Sequence, residues 1–193
     1  MAEEMLVLYG APTLAKLKTG NLFSCPADEV ETKWFCQMNR MLVPKGLRLI
    51  PVRGINSRVL LYIYRPLELK RDLTDARARR ILQGKGYPVD DVERCVAELV
   101  RRVKSEGDFP HEIGLFLGYP PEDVEGFIFW GAANAKLVGD WKVYGDVEQA
   151  RETFQRYRRC TKAYCEFYRI HNSLDRLIVA ASSNKIRTEG RGI

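Results

Sequence analysis

The chain has 193 residues, a formal net charge of +6, and 46% hydrophobic and 10% aromatic residues. This length fits one domain with a sizeable core, and the composition excludes a largely disordered chain. The basic excess is local, because the segment from Arg151 to the end holds ten Lys or Arg residues and four acidic ones.

The N-terminus and the cysteines predict a cytoplasmic protein. Glu3 and Glu4 stand where a signal peptide needs basic residues, and the apolar run from Met5 to Tyr9 is too short for a membrane span. Five cysteines at wide spacings, with no CxxC pair, are typical of reduced thiols rather than of a disulfide framework. We therefore expect free cysteines and no export.

The first elements in chain order are a turn-rich segment, a helix and a hairpin. Gly10, Pro12, Thr19, Gly20 and Asn21 predict turns on both sides of residues 14–18, whose secondary structure stays open. An amphipathic helix begins at Asp28 and ends at Pro44.

Two apolar, β-branched runs, Leu47 to Val52 and Val59 to Tyr64, predict an antiparallel hairpin with a four- or five-residue loop. Pro51 cannot donate to a ladder, so the first strand is expected at a sheet edge or at a bend.

The remaining chain predicts four helices and two strands. The helices are expected at 72–83, from 88 to 103, from 120 to 134 and at 147–171, and the strands at 113–117 and 137–144. The last helix carries a buried stripe that includes Ala150, Phe154 and Tyr157, and its outer face is rich in arginine.

These elements predict an α/β (α+β) fold. We expect a single domain over residues 1–172, with a mixed, largely antiparallel sheet of four or five strands covered by about six helices. Residues 173–193 are expected to form a basic, flexible C-terminal tail. The order of the strands does not follow from the sequence.

His111 is the most distinctive candidate for a catalytic or ligand-binding residue. It stands between a proline and Glu112 at the start of the predicted strand, so its imidazole can serve as acid, base or ligand, with Glu112 fixing its tautomer. Gly114 and Gly118 bracket the strand and mark a place where a ligand can come close, next to Tyr119. The alternative is a structural role in which His111 braces the turn.

A second candidate site lies around Lys18. Thr13, Lys18 and Asn21 stand on a segment punctuated by glycine and proline, where backbone amides and a lysine can reach a small anionic ligand. The segment lacks the phosphate-loop pattern GxxxxGK[ST]. A plain surface turn is the alternative.

The sequence predicts no metal site and leaves the cofactor unknown. The two histidines are far apart and the cysteines have no zinc spacing, although a single axial ligand to haem or iron stays an open alternative. Thiol chemistry would pair Cys25 or Cys36 with His111, and Glu112 or Asp108 would orient the ring. Packing is the simpler role for these cysteines.

The outer face of the last helix is a candidate surface for a partner. Its basic side chains can contact nucleic acid, an anionic lipid surface or an acidic protein, and a plain solvated face is the alternative. These residues are Arg151, Arg156, Arg158, Arg159, Lys162 and Arg169.

Four segments of the chain are distinctive when taken together: FPHEIGLFLGYPPEDVEGFI, GDWKVY, APTLAKLKTGNLF and VLLYIYR. They resemble an uncharacterised bacterial family, a domain of unknown function found mostly in anaerobes, over about residues 7 to 170. The resemblance implies a cytoplasmic single domain and carries no reaction, cofactor or partner. The family pattern has a histidine and a cysteine where this chain has Tyr9 and Gly10, which weakens any mechanism through a thiol there.

The sequence leaves three functions open. The first is a small-ligand-binding or regulatory protein with a site near Lys18 and His111. The second is an enzyme that uses His111 as acid or base on a small anionic substrate. The third is a nucleic-acid or acidic-protein binder that works through the last helix and the tail. Whether Lys18 and His111 line one cavity tests the first two together.

Overall fold

The computed structural model describes residues 1–105 and 109–181. Its five strands are β1 (Gly20–Pro26), β2 (Arg48–Ile55), β3 (Arg58–Tyr64), β4 (Leu137–Val138) and β5 (Lys142–Val143). They form a three-stranded antiparallel sheet in the order β1-β3-β2 and a separate antiparallel ribbon of β4 and β5.

Eight α-helices accompany the strands in the described ranges, and they confirm the predicted α+β class. They are α1 (Ala2–Leu14), α2 (Thr32–Leu42), α3 (Pro66–Asp72), α4 (Ala76–Gly84), α5 (Val92–Lys104), α6 (Ile113–Phe116), α7 (Pro121–Trp130) and α8 (Val147–His171). The helix predicted at 72–83 is α4, which begins later than predicted because the Asp75 side chain caps its N-terminus, and α3 was not predicted.

Helices cover both faces of the three-stranded sheet. Leu61 and Ile63 of β3 are fully buried in the cluster that contains residues of α1 and α2. Tyr62 and Tyr64 point to the opposite face and pack with residues of α3, α4, α5 and α6. The period of two along β3 therefore divides the core into two halves.

The hairpin of β2 and β3 is confirmed, but its loop is shorter than predicted. Asn56 and Ser57 have φ values of 45° and 61°, which is the conformation of a two-residue type I′ turn. Pro51 lies in β2, an edge strand whose register shifts between Pro51 and Arg53. The expectation of an edge or a bend at Pro51 is confirmed.

The turn predicted at Gly10 and Pro12 is wrong, because both residues lie inside α1. Pro12 falls in the last turn of the helix, so it removes only one backbone donor. The helix is buried along much of its length, and its packing against the sheet and α8 overrides the local preference for a turn. β1 then follows, and the sequence did not identify this strand.

The strand predicted at 113–117 is also wrong. Residues Ile113–Phe116 form the short helix α6, and Leu117 ends it. A short apolar run that is buried on all sides has the same pattern in a strand and in a helix. The Tyr62 hydroxyl donates to the Phe116 carbonyl at 2.6 Å, which fixes α6 against β3.

The described part of the expected C-terminal tail packs on the body of the protein. Leu174, Leu177 and Ile178 are buried in the cluster that contains α1. The Val179 amide donates to the Leu14 carbonyl at 3.0 Å. Residues 182–193 of the expected tail lie outside the described residues.

Candidate functional site

Lys18 lies on the short connection between α1 and β1. The Leu17 amide donates to the Pro12 carbonyl at 2.8 Å and the Lys16 amide to the Thr13 carbonyl at 3.2 Å, which is the pattern of a Schellman motif. Lys16 takes the left-handed position of this motif, with φ of 60°. The chain therefore turns sharply after α1 and carries Lys18 back towards the sheet.

Arg65 holds the end of α1 in place. Its side chain is buried, and it donates to the Thr13 and Leu14 carbonyls at 2.7 and 2.8 Å and to the Val179 carbonyl at 2.7 Å. A cation at the C-terminus of a helix also complements the helix dipole. The position of Lys18 is thus fixed by buried hydrogen bonds on its N-terminal side.

The Lys18 side chain is enclosed by two aromatic rings. It is only 9% exposed, and its Nζ lies 5.0 Å from the centre of the Tyr119 ring and 5.7 Å from that of Tyr157. Within the described residues, no hydrogen bond or ion pair joins this ammonium to another side chain or carbonyl. Ring faces compensate a buried cation only in part.

Burial lowers the pKa of Lys18 from its usual value of 10.5 to about 8, although the carboxylate of Asp140 acts in the opposite direction. Burial likewise raises the pKa values of Tyr119 and Tyr157 to about 12, so both hydroxyls stay neutral at physiological pH. Of these three groups, Lys18 is therefore the one whose pKa lies nearest to physiological pH.

A cavity of about 580 Å³ opens in front of Lys18. Asn21 of β1 and Tyr119 line it together with Lys18, and so do Arg158 and Lys162 of α8. Asp140 is the acidic residue in this lining. A second cavity, of about 290 Å³, lies on the other side of Lys18 and contains Thr19, Glu68 and Arg71.

A hydrogen bond between Thr13 and Asn21 lies next to the cavity. The Thr13 hydroxyl is buried and bonded to the Asn21 side-chain oxygen at 2.7 Å. Asn21 lies in β1 opposite Ile63, so its backbone is fixed in the sheet. Of these two predicted ligand-binding residues, only Asn21 reaches the wall of the cavity.

His111 lines a different, apolar cavity of about 350 Å³. Its exposed imidazole contacts the Phe127 ring edge-on, with centroids 4.8 Å apart, and Phe109, Val124 and Trp141 form much of the remaining wall. No hydrogen bond links His111 to a cysteine or a carboxylate in the part of the chain that the structure describes. Gly114 lies in this wall as well.

Glu112 points away from His111. Its carboxylate is buried, accepts a hydrogen bond from the Tyr87 hydroxyl at 3.0 Å and lies 3.8 Å from Arg102. Burial and, to a smaller extent, the same carboxylate raise the pKa of Tyr87. Glu112 therefore connects the start of α6 with α5 and does not orient the imidazole.

Tyr119 stands between the two cavities and lines both. Its ring stacks on Trp141 with centroids 4.9 Å apart. Gly118, with φ of +73°, turns the chain after α6 so that Tyr119 reaches this position, and a side chain at Gly118 would meet Thr19 at 3.0 Å. Lys18 and His111 thus lie on opposite sides of one aromatic wall rather than in one cavity.

Asp123 fixes the far side of that wall. Its buried carboxylate accepts hydrogen bonds from the Trp141 indole at 2.7 Å, from the Tyr144 amide at 2.7 Å and from the Gly145 amide at 2.8 Å. These three contacts tie α7 to the ribbon that carries Trp141. Asp123 lines the His111 cavity, but its acceptors are already occupied.

The basic residues of α8 divide into two groups. All six predicted residues, Arg151, Arg156, Arg158, Arg159, Lys162 and Arg169, are exposed. Arg158 and Lys162 line the Lys18 cavity, whereas Arg151 pairs with Glu148 at 3.8 Å. Tyr157 is buried on the opposite stripe, as predicted from the helical period.

The cysteines and the metal-ligating residue types do not form a site in the described ranges. All five cysteines are free thiols, and burial raises the pKa values of Cys25 and Cys165. No group of three or more His, Cys, Asp or Glu residues among residues 1–105 and 109–181 is placed to hold a metal ion. Asp108, the alternative partner of His111, lies outside the described residues.

Sequence reasoning missed Tyr157 and Asp140 as parts of the Lys18 cavity. Tyr157 was predicted as a core residue, yet its hydroxyl must find a polar partner when buried, and it reaches the Leu17 carbonyl at 3.4 Å. The need of a buried tyrosine hydroxyl for a polar partner could have indicated that Tyr157 lies next to a polar cavity. Asp140 carries no such signal, because only the fold brings the ribbon next to the α1–β1 connection.

The fold and this cavity define the class of the protein: an α+β protein with a buried lysine at a basic cavity of the size that small molecules occupy. The chain belongs to the family described as "Protein of unknown function (DUF3793)", whose model matches residues 6–178. No curated protein and no solved structure matches the chain. None of the helices in the described ranges combines the length and the apolar character needed to cross a bilayer.

Proposed function

We propose that this protein binds a small anionic ligand in the Lys18 cavity. The observation that carries the proposal is the enclosed Lys18 ammonium, which is 9% exposed and forms no hydrogen bond or ion pair within the described part of the chain. The free thiols further support a cytoplasmic location for this binding.

Electrostatics favours an anion over a neutral ligand. A buried charge costs free energy unless it is paired, and the rings of Tyr119 and Tyr157 repay only about 1–2 kcal/mol of such a cost. A carboxylate or phosphate in the cavity would supply the missing partner. The same anion would raise the pKa of Lys18 again, so binding and protonation would reinforce each other.

The rim of the cavity adds to this preference. Arg158 and Lys162 lie on the exposed face of α8 and line the same cavity as Lys18, against the single carboxylate of Asp140. Three cations that converge on one concavity raise the local concentration of anions. The volume of about 580 Å³ accommodates a small metabolite with room for water.

Thermal-shift measurements test the proposal with four named anions: inorganic phosphate, pyrophosphate, citrate and succinate. At a ligand concentration of 100 times Kd, binding stabilises the native state by about 2.7 kcal/mol, which is readily measured. We expect at least one of these anions to raise Tm of the wild type. The neutral analogue succinamide should leave it unchanged.

Two variants separate this site from the general basic charge of the helix. Lys18→Met removes the buried cation and is expected to abolish the shift, and Arg158→Ala is expected to weaken it. Arg151→Ala removes an arginine of the same helix outside the cavity lining and should behave like the wild type. Equal shifts in Lys18→Met and wild type, or no shift with any of the four anions, would overturn the proposal.

The exposed basic face of α8 supports a second candidate, an acidic partner protein or nucleic acid. Arg156, Arg159 and Arg169 are exposed and do not line the Lys18 cavity. Binding of this kind weakens steeply with salt, in proportion to the number of contacts. The test measures the affinity for duplex DNA and for polyglutamate from low to high salt, with and without residues 182–193. The absence of salt-sensitive binding to either would contradict this candidate.

A further inference from the structure

The surroundings of the Lys18 side chain suit a nucleophilic amine as well as a cation that binds an anion. It is enclosed between Tyr119 and Tyr157 and faces a cavity large enough for a substrate. Desolvation by burial favours the neutral amine and outweighs the opposing charge of Asp140. Desolvation of this kind is one of the ways in which a protein activates a lysine amine as a nucleophile.

The charge state of Lys18 is consistent with this chemistry. A lysine with a pKa of about 8 has roughly a tenth of its molecules neutral at pH 7, which is two to three orders of magnitude more than an ordinary lysine has. The remaining protonated fraction still attracts an anion. Both properties are therefore available to one residue at neutral pH.

We propose that Lys18 forms an imine with a small carbonyl compound that also carries a carboxylate or a phosphate. The proposal rests on the proposed function, because Arg158 and Lys162 would hold the anionic group while Lys18 meets the carbonyl carbon.

The reaction is balanced without any further reagent. The lone pair of the neutral Lys18 amine forms a C–N bond to the carbonyl carbon. The carbonyl oxygen takes both protons of the amine, one as the carbinolamine forms and one as the C–O bond breaks, and leaves as water. The product is an imine, which becomes a cation when it is protonated, and no group is oxidised or reduced. The anionic group of the bound compound then pairs with this cation inside the cavity.

Reductive trapping with sodium cyanoborohydride tests the proposal on the full-length protein. Pyruvate and glyceraldehyde 3-phosphate serve as the two anionic carbonyl probes, and they distinguish a 2-oxo acid from a phosphorylated aldehyde. Acetone is the neutral carbonyl control. Peptide mapping of the trapped protein gives the rate of labelling at each lysine.

We expect at least one anionic probe to label Lys18 roughly tenfold or more faster than the exposed Lys162, and acetone to show no such preference. Because Lys162 lines the same cavity, it is an internal standard for local probe concentration. Lys18→Arg keeps the cation but cannot form an imine, so no other lysine should take over the fast labelling. Equal rates at Lys18 and Lys162 with both probes would overturn the inference.

Propionate separates failure of this inference from failure of the proposed function. It has the size and charge of pyruvate but lacks the carbonyl group. If propionate and pyruvate both raise Tm through Lys18 while no adduct forms, anion binding stands and imine formation is wrong. If Lys18 is trapped rapidly by acetone as well, the amine is reactive but the anionic preference is wrong.

Discussion

Replacing Lys18 with methionine is expected to stabilise the protein at pH 7. The difference between the usual pKa of 10.5 and about 8 in the folded protein corresponds to a burial cost of about 3 kcal/mol. The contacts with Tyr119 and Tyr157 return about 1 kcal/mol of this cost. Methionine fills a similar volume and packs well against aromatic rings, so we expect a net gain of about 2 kcal/mol.

The gain should depend on pH in a defined direction. Because burial lowers the pKa of Lys18, the unfolded chain binds more protons at this residue than the folded protein between pH 8 and pH 10.5. The cost is therefore fully present below pH 8 and is lost as the pH rises towards 10.5. The difference of about 2 kcal/mol between Lys18→Met and wild type at pH 7 should therefore shrink towards zero across that window.

Urea denaturation at pH 6, 7, 9 and 10.5 measures this difference directly, with circular dichroism as the readout. For a chain of this length, 2 kcal/mol at pH 7 is also visible as a rise in Tm of about 4–8 °C. Lys162→Met is the matched control, because its exposed head group should change stability by less than about 0.5 kcal/mol at every pH. A loss of stability in Lys18→Met at pH 7, or a difference that does not vary with pH, would refute the reasoning.

Three further substitutions test the contacts that position the site, each by urea denaturation. Asp123→Asn should cost about 2–3 kcal/mol, because an amide cannot accept all three hydrogen bonds of the buried carboxylate, and a cost below 0.5 kcal/mol would contradict this. Arg65→Met should cost about 3 kcal/mol, since it removes three hydrogen bonds from a buried side chain to backbone carbonyls. Gly126→Ala should cost about 1–3 kcal/mol because its Cβ would lie 2.5 Å from the Tyr144 Cγ, whereas Gly84→Ala meets nothing within 4 Å and should be tolerated.

Prediction from the sequence was most accurate for elements whose hydrophobic period and terminal residues indicated the same bounds. The bounds of α8 follow from an acid at the N-cap, Asp146, and a buried stripe through Phe154 and Tyr157. The hairpin follows from two apolar runs around Asn56 and Ser57. In both cases neighbouring residues determine the element, and the tertiary contacts favour the same structure.

Prediction failed where tertiary contacts overrode local preference. α1 runs through Gly10 and Pro12 because its end is held by Arg65, a residue more than fifty positions away. α6 has only four residues, which is too short for a helical period to be visible. Neither the long-range contact that holds α1 nor the identity of a four-residue helix can be derived from a short stretch of the sequence.

The candidate site shows the same division. Lys18, Asn21 and Tyr119 were predicted one by one from local residue types, and the structure brings them to one cavity. His111 was expected beside Lys18, but the stack of Tyr119 on Trp141 separates the two. Which side of an aromatic wall a residue faces depends on the packing of three segments, and no single segment encodes it.

Arg65 and Lys18 show why burial of a cation does not by itself indicate function. Arg65 is 1% exposed, but it donates three hydrogen bonds to backbone carbonyls and fixes the end of α1, so it has a structural role. Lys18 is 9% exposed, and two aromatic rings and the charge of Asp140 compensate its burial only in part. A methionine at that position would pack against the same rings at lower cost. Lys18 therefore lowers the stability of the folded protein without a full compensating contact. Binding of an anionic ligand at its ammonium is the simplest explanation for a lysine at this position.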